Sequence, residues 1–269
     1  MLPIVFCDEH LVAIHKPAGL LVHRTALDAH ERRFALQMLR QQIGCRVYPV
    51  HRLDKGASGV LLFALSREVG RMLSTMFEQR LVGKRYLAVV RGYPDAAGEI
   101  DHPLRRHFDA VERVAEAALA AAAQEAISRY RRLATIELPY RVDRYPTSRY
   151  ALVELEPLSG RRHQLRRHLK HIAHPIIGDA TYGKGAHNRL FQRLFACDRL
   201  LLASTELRLV HPVTGASLTL TAPLAADFAR LIDRLGWTCA VPPQWLPGST
   251  DPLVPAAVDS QALGSAETL

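Results

Sequence analysis

The sequence is poor in cysteine, and the four that it has, Cys7, Cys45, Cys197 and Cys239, stand far apart with no C-x-x-C spacing. That excludes a disulfide framework or a zinc ribbon and points to reduced thiols in a cytoplasmic protein. No apolar run reaches the roughly 18 residues that a membrane helix needs, so no membrane association is expected. The opening stretch "MLPIVFCDEHLVAIHK" has no basic region ahead of its apolar residues, and Asp8 and Glu9 interrupt it early. It reads as two strands and a turn, not as a secretion signal. There is no internal repeat.

What is present is an ordinary folding composition with an uneven charge. The 269 residues are 48% apolar and 23% charged, enough for a substantial core. One domain is expected over residues 1–245. From 246 to 269 Pro, Gly and Ser dominate, and a disordered tail is expected. The net charge is +9, and the tail contributes only acids, so the remainder is more basic still. Between Arg129 and His171 there are eleven bases against four acids, and ten of the eleven are Arg. Arg forks onto phosphate and stacks on bases, so the pattern fits a nucleic-acid partner or, more plainly, a solvated basic face.

Periodicity predicts strands within 3–16, a helix over 31–43 closed by Gly44, and strands at 46–50 and 59–65. A helix capped by Ser66 follows, then a strand over 84–92. The alanine-rich stretch 109–126 predicts a peripheral helix. Strands over 127–138 and 148–160, a basic helix ending before Pro175, a hairpin turning near 213–215 and a last helix near 224–235 complete the chain. Without a repeating β-α-β rhythm, the fold class is α+β, a single catalytic domain with a largely antiparallel mixed sheet.

The motif that carries most is "HRLDKGASG", 51–59. An isolated Arg-x-Asp is most simply a turn or an ion pair. Four other segments change its weight. "KPAGLLVH" (16–23) places a Lys, a Gly turn and a His at a strand end. "KRYLAVVRG" (84–92) sets Tyr86 just inside a strand. "LSGRRHQLRRH" (158–168) opens a helix with dense Arg, and "HPIIGDATYG" (174–183) is a loop with two glycines.

In this order the segments resemble the RluA-type pseudouridine synthases, over nearly all of residues 3–236. Within that family, "LVHR" (21–24), residues 144–169 and the absence of an N-terminal S4 RNA-binding domain resemble the members that act on uridine 65 of tRNA. Ala57 departs from the pattern, since the family usually has Thr there. The resemblance implies a pseudouridine synthase fold and an RNA isomerase, with tRNA as the expected partner, ribosomal RNA as the alternative, and a monomeric protein. The reaction breaks the C1′–N1 bond of uridine, turns the uracil over and joins C5 to C1′. With no redox or phosphoryl step, no cofactor and no metal are expected.

That chemistry requires a carboxylate against the ribose and base, and Asp54 is the candidate, as nucleophile or base. A carboxylate enclosed with RNA tends to gain a proton, which a neighbouring guanidinium opposes. The resemblance makes that guanidinium Arg166. It also implies that Arg52 helps to displace the target nucleotide, since base chemistry within folded RNA needs the nucleotide out of its stack. Tyr86 would stack on the flipped uracil, and its hydroxyl is expected to take the C5 proton. Lys16, His23, His51, Lys84, Arg161, His163 and Gln164 are the expected substrate-binding residues.

His163, His168, His171 and His174 are dense, but a spacing of three drifts around a helix and the interleaved Arg repels a cation. RNA contact or packing is therefore preferred to metal binding. Two other functions compete. A silent RNA-binding protein on the same fold would be expected to lack one of Asp54, Tyr86 and Arg166, and all three are present. A hydrolase using Asp54 would need a water-activating partner, which none of these motifs supplies.

Overall fold

The computed structural model describes residues 1–23, 31–105 and 122–248. Nearly all of the tail expected to be disordered, and most of the alanine-rich stretch expected to be helical, lie outside these residues. Where that stretch is described, it is not helix. Leu104 bridges Gln124 antiparallel, and the His102 amide donates to the Ala126 carbonyl at 3.2 Å. Alanine's helix propensity is a few tenths of a kcal/mol per residue, and a partner strand overrides it.

The chain opens with β1 (Ile4–Cys7) and β2 (Leu11–Lys16), an antiparallel pair. Asp8 closes their turn by accepting from the amides of His10 and Leu11 at 2.8 and 2.7 Å. Helix α1 (Ala35–Ile43) stops at Gly44, whose φ of 73° suits a left-handed cap. Two strands follow, β3 (Tyr48–Pro49) and β4 (Ser58–Ala64). The first of these is only two residues long, because Pro49 has no amide to extend a ladder. Helix α2 (Arg67–Glu78) starts where Ser66 Oγ accepts from the Val69 amide at 3.2 Å, as the sequence predicts.

Strands β5 (Gly83–Arg91), β6 (Ala97–Asp101), β7 (Ile127–Leu138) and β8 (Ser148–Pro157) lead to the basic helix α3 (Gln164–His171). Helix α4 (Gly185–Phe195), strands β9 (Leu202–Val210) and β10 (Ser217–Thr221) and helix α5 (Ala226–Arg234) end the described domain. Two elements, β6 and α4, were not foreseen. "AGEID" has one large apolar residue and forms only because β7 pairs along it. Helix α4 begins at a glycine without a side-chain cap and relies on burying Leu190 and Phe191.

The strands build one sheet in the order β1-β2-β4-β9-β5-β8-β7-β6, with β3 beside β4 and β10 beside β9. Among these pairings only β4–β9 is parallel, so the α+β, largely antiparallel class holds. All seven residues of β4 are buried because both faces are covered. Leu61 and Phe63 join the main core, with residues of α1, α4 and α5, while Val60, Leu62 and Ala64 join a second core under α2. Gly59 permits the parallel contact: a Cβ there would lie 1.9 Å from the Ser204 carbonyl oxygen. That contact brings β4, β9 and β5 side by side, and the residues leading into β4 carry the site. Among the described residues no helix is long and apolar enough to cross a membrane.

Candidate active site

Asp54 lies on the short loop between β3 and β4. Leu53 and Ala57 are buried on either side of it, 6% and 1% exposed, and anchor the loop in the core. The Asp54 carbonyl accepts from the Ala57 amide at 3.1 Å, which closes the turn through the backbone and without a hydroxyl at position 57. The carboxylate, 18% exposed, faces a cleft of about 400 Å³. The cleft is walled by the end of α2 with the start of β5, and by the segment from the end of β8 into α3.

Arg166 projects from the first turn of α3 and donates from Nη1 to Asp54 Oδ2 at 3.1 Å. It is held from behind by Asp179, whose carboxylate takes Nε at 2.7 Å and Nη2 at 2.8 Å in a two-pronged pair. Asp179 is itself fixed by the amides of Thr181 and Tyr182, both 2.9 Å from Oδ1. Burial opposes the Arg166 charge, but the hydrogen bonds and charge of Asp179, followed by Asp54, outweigh it and raise the guanidinium pKa. Burial likewise works against the Asp179 carboxylate, yet the Arg166 hydrogen bonds hold it below its ordinary value. Arg166 is therefore a fixed cation that presents one donor group to Asp54.

The Tyr182 ring lies under Arg166, 5.0 Å from the guanidinium carbon, and its hydroxyl is 3.1 Å from His163 Nδ1. On its other side the His163 ring brings Nε2 to 3.8 Å from Asp54 Oδ1. His163 has a φ of 55°, a left-handed conformation that costs a non-glycine residue about 1–3 kcal/mol. Gln164 braces this bend. Its Oε1 accepts from Ser159 Oγ and the Arg161 amide at 2.8 and 3.0 Å, and its Nε2 donates to Ile127 O and Ser128 Oγ, both at 2.9 Å.

Tyr86 is 9% exposed and lines the cleft near the start of β5, and burial pushes its hydroxyl up to about 12. Two residues earlier, Lys84 donates to the Ser159 carbonyl at 3.2 Å; burial, followed by the Arg80 charge, lowers it to about 8. Arg52 is exposed on the cleft rim, and Arg161 lines the far wall, where its Nε donates to the Glu125 carbonyl at 3.1 Å. His51 stacks on Phe77 with ring centroids 4.8 Å apart, and its Nε2 accepts from the Leu62 amide at 2.9 Å. That bond requires a bare nitrogen, and burial lowers the imidazole pKa to about 3, so the ring stays neutral.

Nine of the eleven residues singled out in the sequence line this cleft, and Lys16 and His23 do not. Lys16 is fully buried, and its Nζ donates to the carbonyls of Pro17, Leu20 and Lys55 at 2.8, 2.7 and 3.2 Å. It ties the 17–20 turn to the residue next to Asp54. Burial, and after it the Arg199 charge, lowers its pKa to about 7. His23 is half-buried near Arg52, and burial and that guanidinium together press it toward the neutral form.

Three contributors escaped the sequence reading. Asp179 and Tyr182 sit in "HPIIGDATYG", a segment that carries the resemblance but in which neither residue is given a role by the sequence reading, although an acid and an aromatic at fixed places in a tight loop were the available signal. The third is Arg199, whose Nη2 donates to Ser58 Oγ at 2.7 Å and whose Nη1 reaches Asp227 Oδ1 at 3.1 Å. It ties the far end of the Asp54 loop to α5. Gly178 lets its own loop pass close by, since a Cβ there would meet the Arg199 carbonyl oxygen at 1.8 Å.

The dense histidines are dispersed. His168 Nε2 contacts the His102 carbonyl at 3.1 Å, His174 Nδ1 contacts the Arg91 carbonyl at 2.8 Å, and His171 stacks on His102. Among the described residues no three His, Cys, Asp or Glu side chains form a group that could hold a metal ion.

Comparison with known proteins agrees with this geometry. Residues 10–171 match the family model described as RNA pseudouridylate synthase. The chain is 47% identical over 239 residues to a tRNA pseudouridine synthase C of Vibrio vulnificus (strain CMCP6), covering 88% of this chain and 96% of that one. With a tRNA pseudouridine synthase C of Yersinia pestis it shares 49% over 243 residues, covering 90% and 94%. Among solved structures, human RNA pseudouridylate synthase domain containing 4 superposes with a TM-score of 0.64 at 26% identity, covering 87% of this chain and 93% of that one. A family model that spans more than half of the chain, with relatives near half identical along almost their full length, leaves one conclusion: the chain belongs to the RNA pseudouridylate synthase family.

Proposed function

We propose that this isomerase converts one uridine in tRNA to pseudouridine, at position 65, with Asp54 as its catalytic carboxylate. The observation that carries the reading is Asp54 at the floor of a basic cleft, paired with a guanidinium that Asp179 holds from behind. The relatives' names favour tRNA, and the resemblance in 21–24 and 144–169 favours position 65. Purified protein incubated with unmodified tRNA and ribosomal RNA transcripts, followed by pseudouridine mapping, tests it. Modification at tRNA position 65 alone is the expected result. Modification confined to ribosomal RNA would overturn the substrate, and no modification of any RNA would overturn the activity.

The residues divide between the two sides of the reaction. Asp54 acts on the sugar or base, Arg166 holds its charge in place, and Arg52 on the rim enters the space vacated as the nucleotide swings out. His163, Lys84 and Arg161 line the path of the flipped nucleotide. Lys16, His51 and Gln164, whose polar atoms are engaged by the protein's own groups, act by shaping the cleft, and His23 stays near neutral beside Arg52. No step calls for a metal or cofactor, so turnover should survive exhaustive chelation. Loss of activity in EDTA that zinc restores would sink that part of the reading.

Tyr86 supplies a stacking surface for the uracil. A hydroxyl pushed up to about 12 keeps its proton near neutrality, which weighs against its serving as the base that removes H5. Tyr86→Phe should therefore bind RNA like the wild type and turn over within about tenfold of it. Tyr86→Ala should lose roughly 10- to 100-fold, the value of a base–aromatic stack. Tritium release from C5-labelled tRNA in a single turnover reads both variants. Accumulation of rearranged product that still carries tritium in the Phe variant would assign proton removal to the hydroxyl.

A further inference from the structure

Helix α3 turns two faces to two different spaces. Arg166 points inward to Asp54, while Arg167, Lys170 and His171, spaced i, i+3 and i+4, share the outer face. That face borders a second pocket of about 280 Å³, lined by His102, Leu104, Arg167, Lys170, His171 and Tyr182. Its polar lining consists of cations, imidazoles and one phenol, with no carboxylate among them.

The lining is organised. The His102 and His171 rings stack with centroids 3.8 Å apart and planes 14° from parallel. His168, buried beneath, contacts the His102 carbonyl at 3.1 Å and fixes that residue's backbone. Arg167 Nη1 donates to the Arg105 carbonyl at 2.9 Å, which fixes its guanidinium. Lys170 Nζ lies 5.8 Å from the centre of the Tyr182 ring. Burial, and after it the His171 and Arg167 charges, lower the His102 pKa, with exposed Asp101 at the end of β6 only a small opposing influence, while Asp179 and Asp54 act on the cluster from the Tyr182 side.

Tyr182 links this pocket to the catalytic site: its ring lies under Arg166 and its hydroxyl contacts His163, two residues that line the catalytic cleft, while Tyr182 itself lines the second pocket. Arg167 of the pocket directly follows Arg166 of the cleft on α3, so the two spaces adjoin along one turn of the helix. We infer that the pocket bounded by His102, Arg167, Lys170, His171 and Tyr182 is a subsite for an RNA phosphodiester next to the target uridine. This rests on the proposed activity on RNA. Arg167 and Lys170 supply charge, and the imidazoles supply hydrogen-bond donors. The phosphate held there fixes the strand while the target nucleotide leaves its stack.

The experiment pairs a neutral linkage in the substrate with a change in the protein. An RNA that the wild type modifies is made with one methylphosphonate at each linkage flanking the target uridine in turn. The wild type should bind one of these about five- to tenfold more weakly than the native RNA, as expected for losing a charge-assisted contact at a solvent-facing site. The double variant Lys170→Gln/His171→Ala, altered at two exposed positions, should lose a similar factor on native RNA and nothing further on that methylphosphonate. Its log–log dependence of affinity on salt should be shallower by about 0.7–0.9, the share of one neutralised phosphate.

Losses that multiply in the variant, an unchanged salt slope, or a wild type indifferent to both neutral linkages would each overturn the subsite while the activity stands. The last of these needs no variant to fold. A wild type that modifies no RNA would overturn the activity and the subsite together.

Discussion

Replacing Asp54 by Asn should abolish isomerisation, by roughly three orders of magnitude or more, while leaving RNA affinity within about threefold of the wild type. The amide keeps the shape of the carboxylate and still accepts from Arg166 Nη1, now at 3.1 Å from Oδ2, so the cleft should stay formed. What disappears is the negative charge that, on the proposed function, attacks or deprotonates the sugar. Affinity should survive because phosphate contacts spread over a basic surface carry it, whereas the proposed chemistry depends on one side chain. Rapid-quench turnover and filter binding on the same preparation separate the two effects. Substantial turnover by the Asn variant would remove Asp54 from the chemistry.

Asp179→Asn should lose both stability and activity without touching the substrate. The Asp179 side chain is 0% exposed and holds both Nε and Nη2 of Arg166, so the substitution breaks a buried ion pair and leaves Arg166 poorly balanced. Breaking such a pair by removing one partner costs about 3–5 kcal/mol of stability. The released guanidinium would also shift relative to Asp54, and misplacement by about 1 Å can cost on the order of 100-fold in rate. Measured below its melting point, the variant should keep its RNA affinity and lose kcat. A wild-type kcat in folded Asp179→Asn would mean that Arg166 needs no support.

Acid titration of stability provides a second readout of the same pair. The Asp179 pKa is held below its ordinary value in the folded protein. A depressed carboxylate stabilises the fold fully above its unfolded pKa, near about 4, and loses that contribution as pH falls toward the lower folded value. Wild-type stability should therefore drop in that window, and the Asn variant, already lacking the contribution, should show a shallower acid limb. Equal slopes by chemical denaturation across that pH range would contradict the assignment.

Much of this protein was legible along the chain because it depends on local chemistry. The strand-forming run of β4, the Ser66 cap, the Gly44 stop and the basic face of α3 are each set by neighbouring residues, and each stands where the pattern predicts. The motif residues Asp54, Tyr86 and Arg166 were also visible, through the order and spacing of the segments that carry them. Strand β6 was not, since it has no apolar alternation of its own and exists through pairing with β7. Helix α4 has no side-chain cap to mark its start, and its apolar spacing of Leu190, Phe191, Leu194 and Phe195 was the signal available for it.

The division of labour within the site was decided only by the tertiary structure. Lys16, His51 and Gln164 are polar residues in motif positions, and nothing in a linear string distinguishes a side chain facing a ligand from one satisfying a buried carbonyl or amide. Folding distinguished them, because a buried polar group must find a partner and these found theirs in the protein's own backbone and side chains. Asp179 reaches Arg166 across 13 residues, and Arg166 reaches Asp54 across 112. The order of residues along the chain sets which acid and which bases are available. Long-range packing decided which of them would meet, because only closure of the sheet and the docking of α3 brings those distant charges within hydrogen-bonding distance.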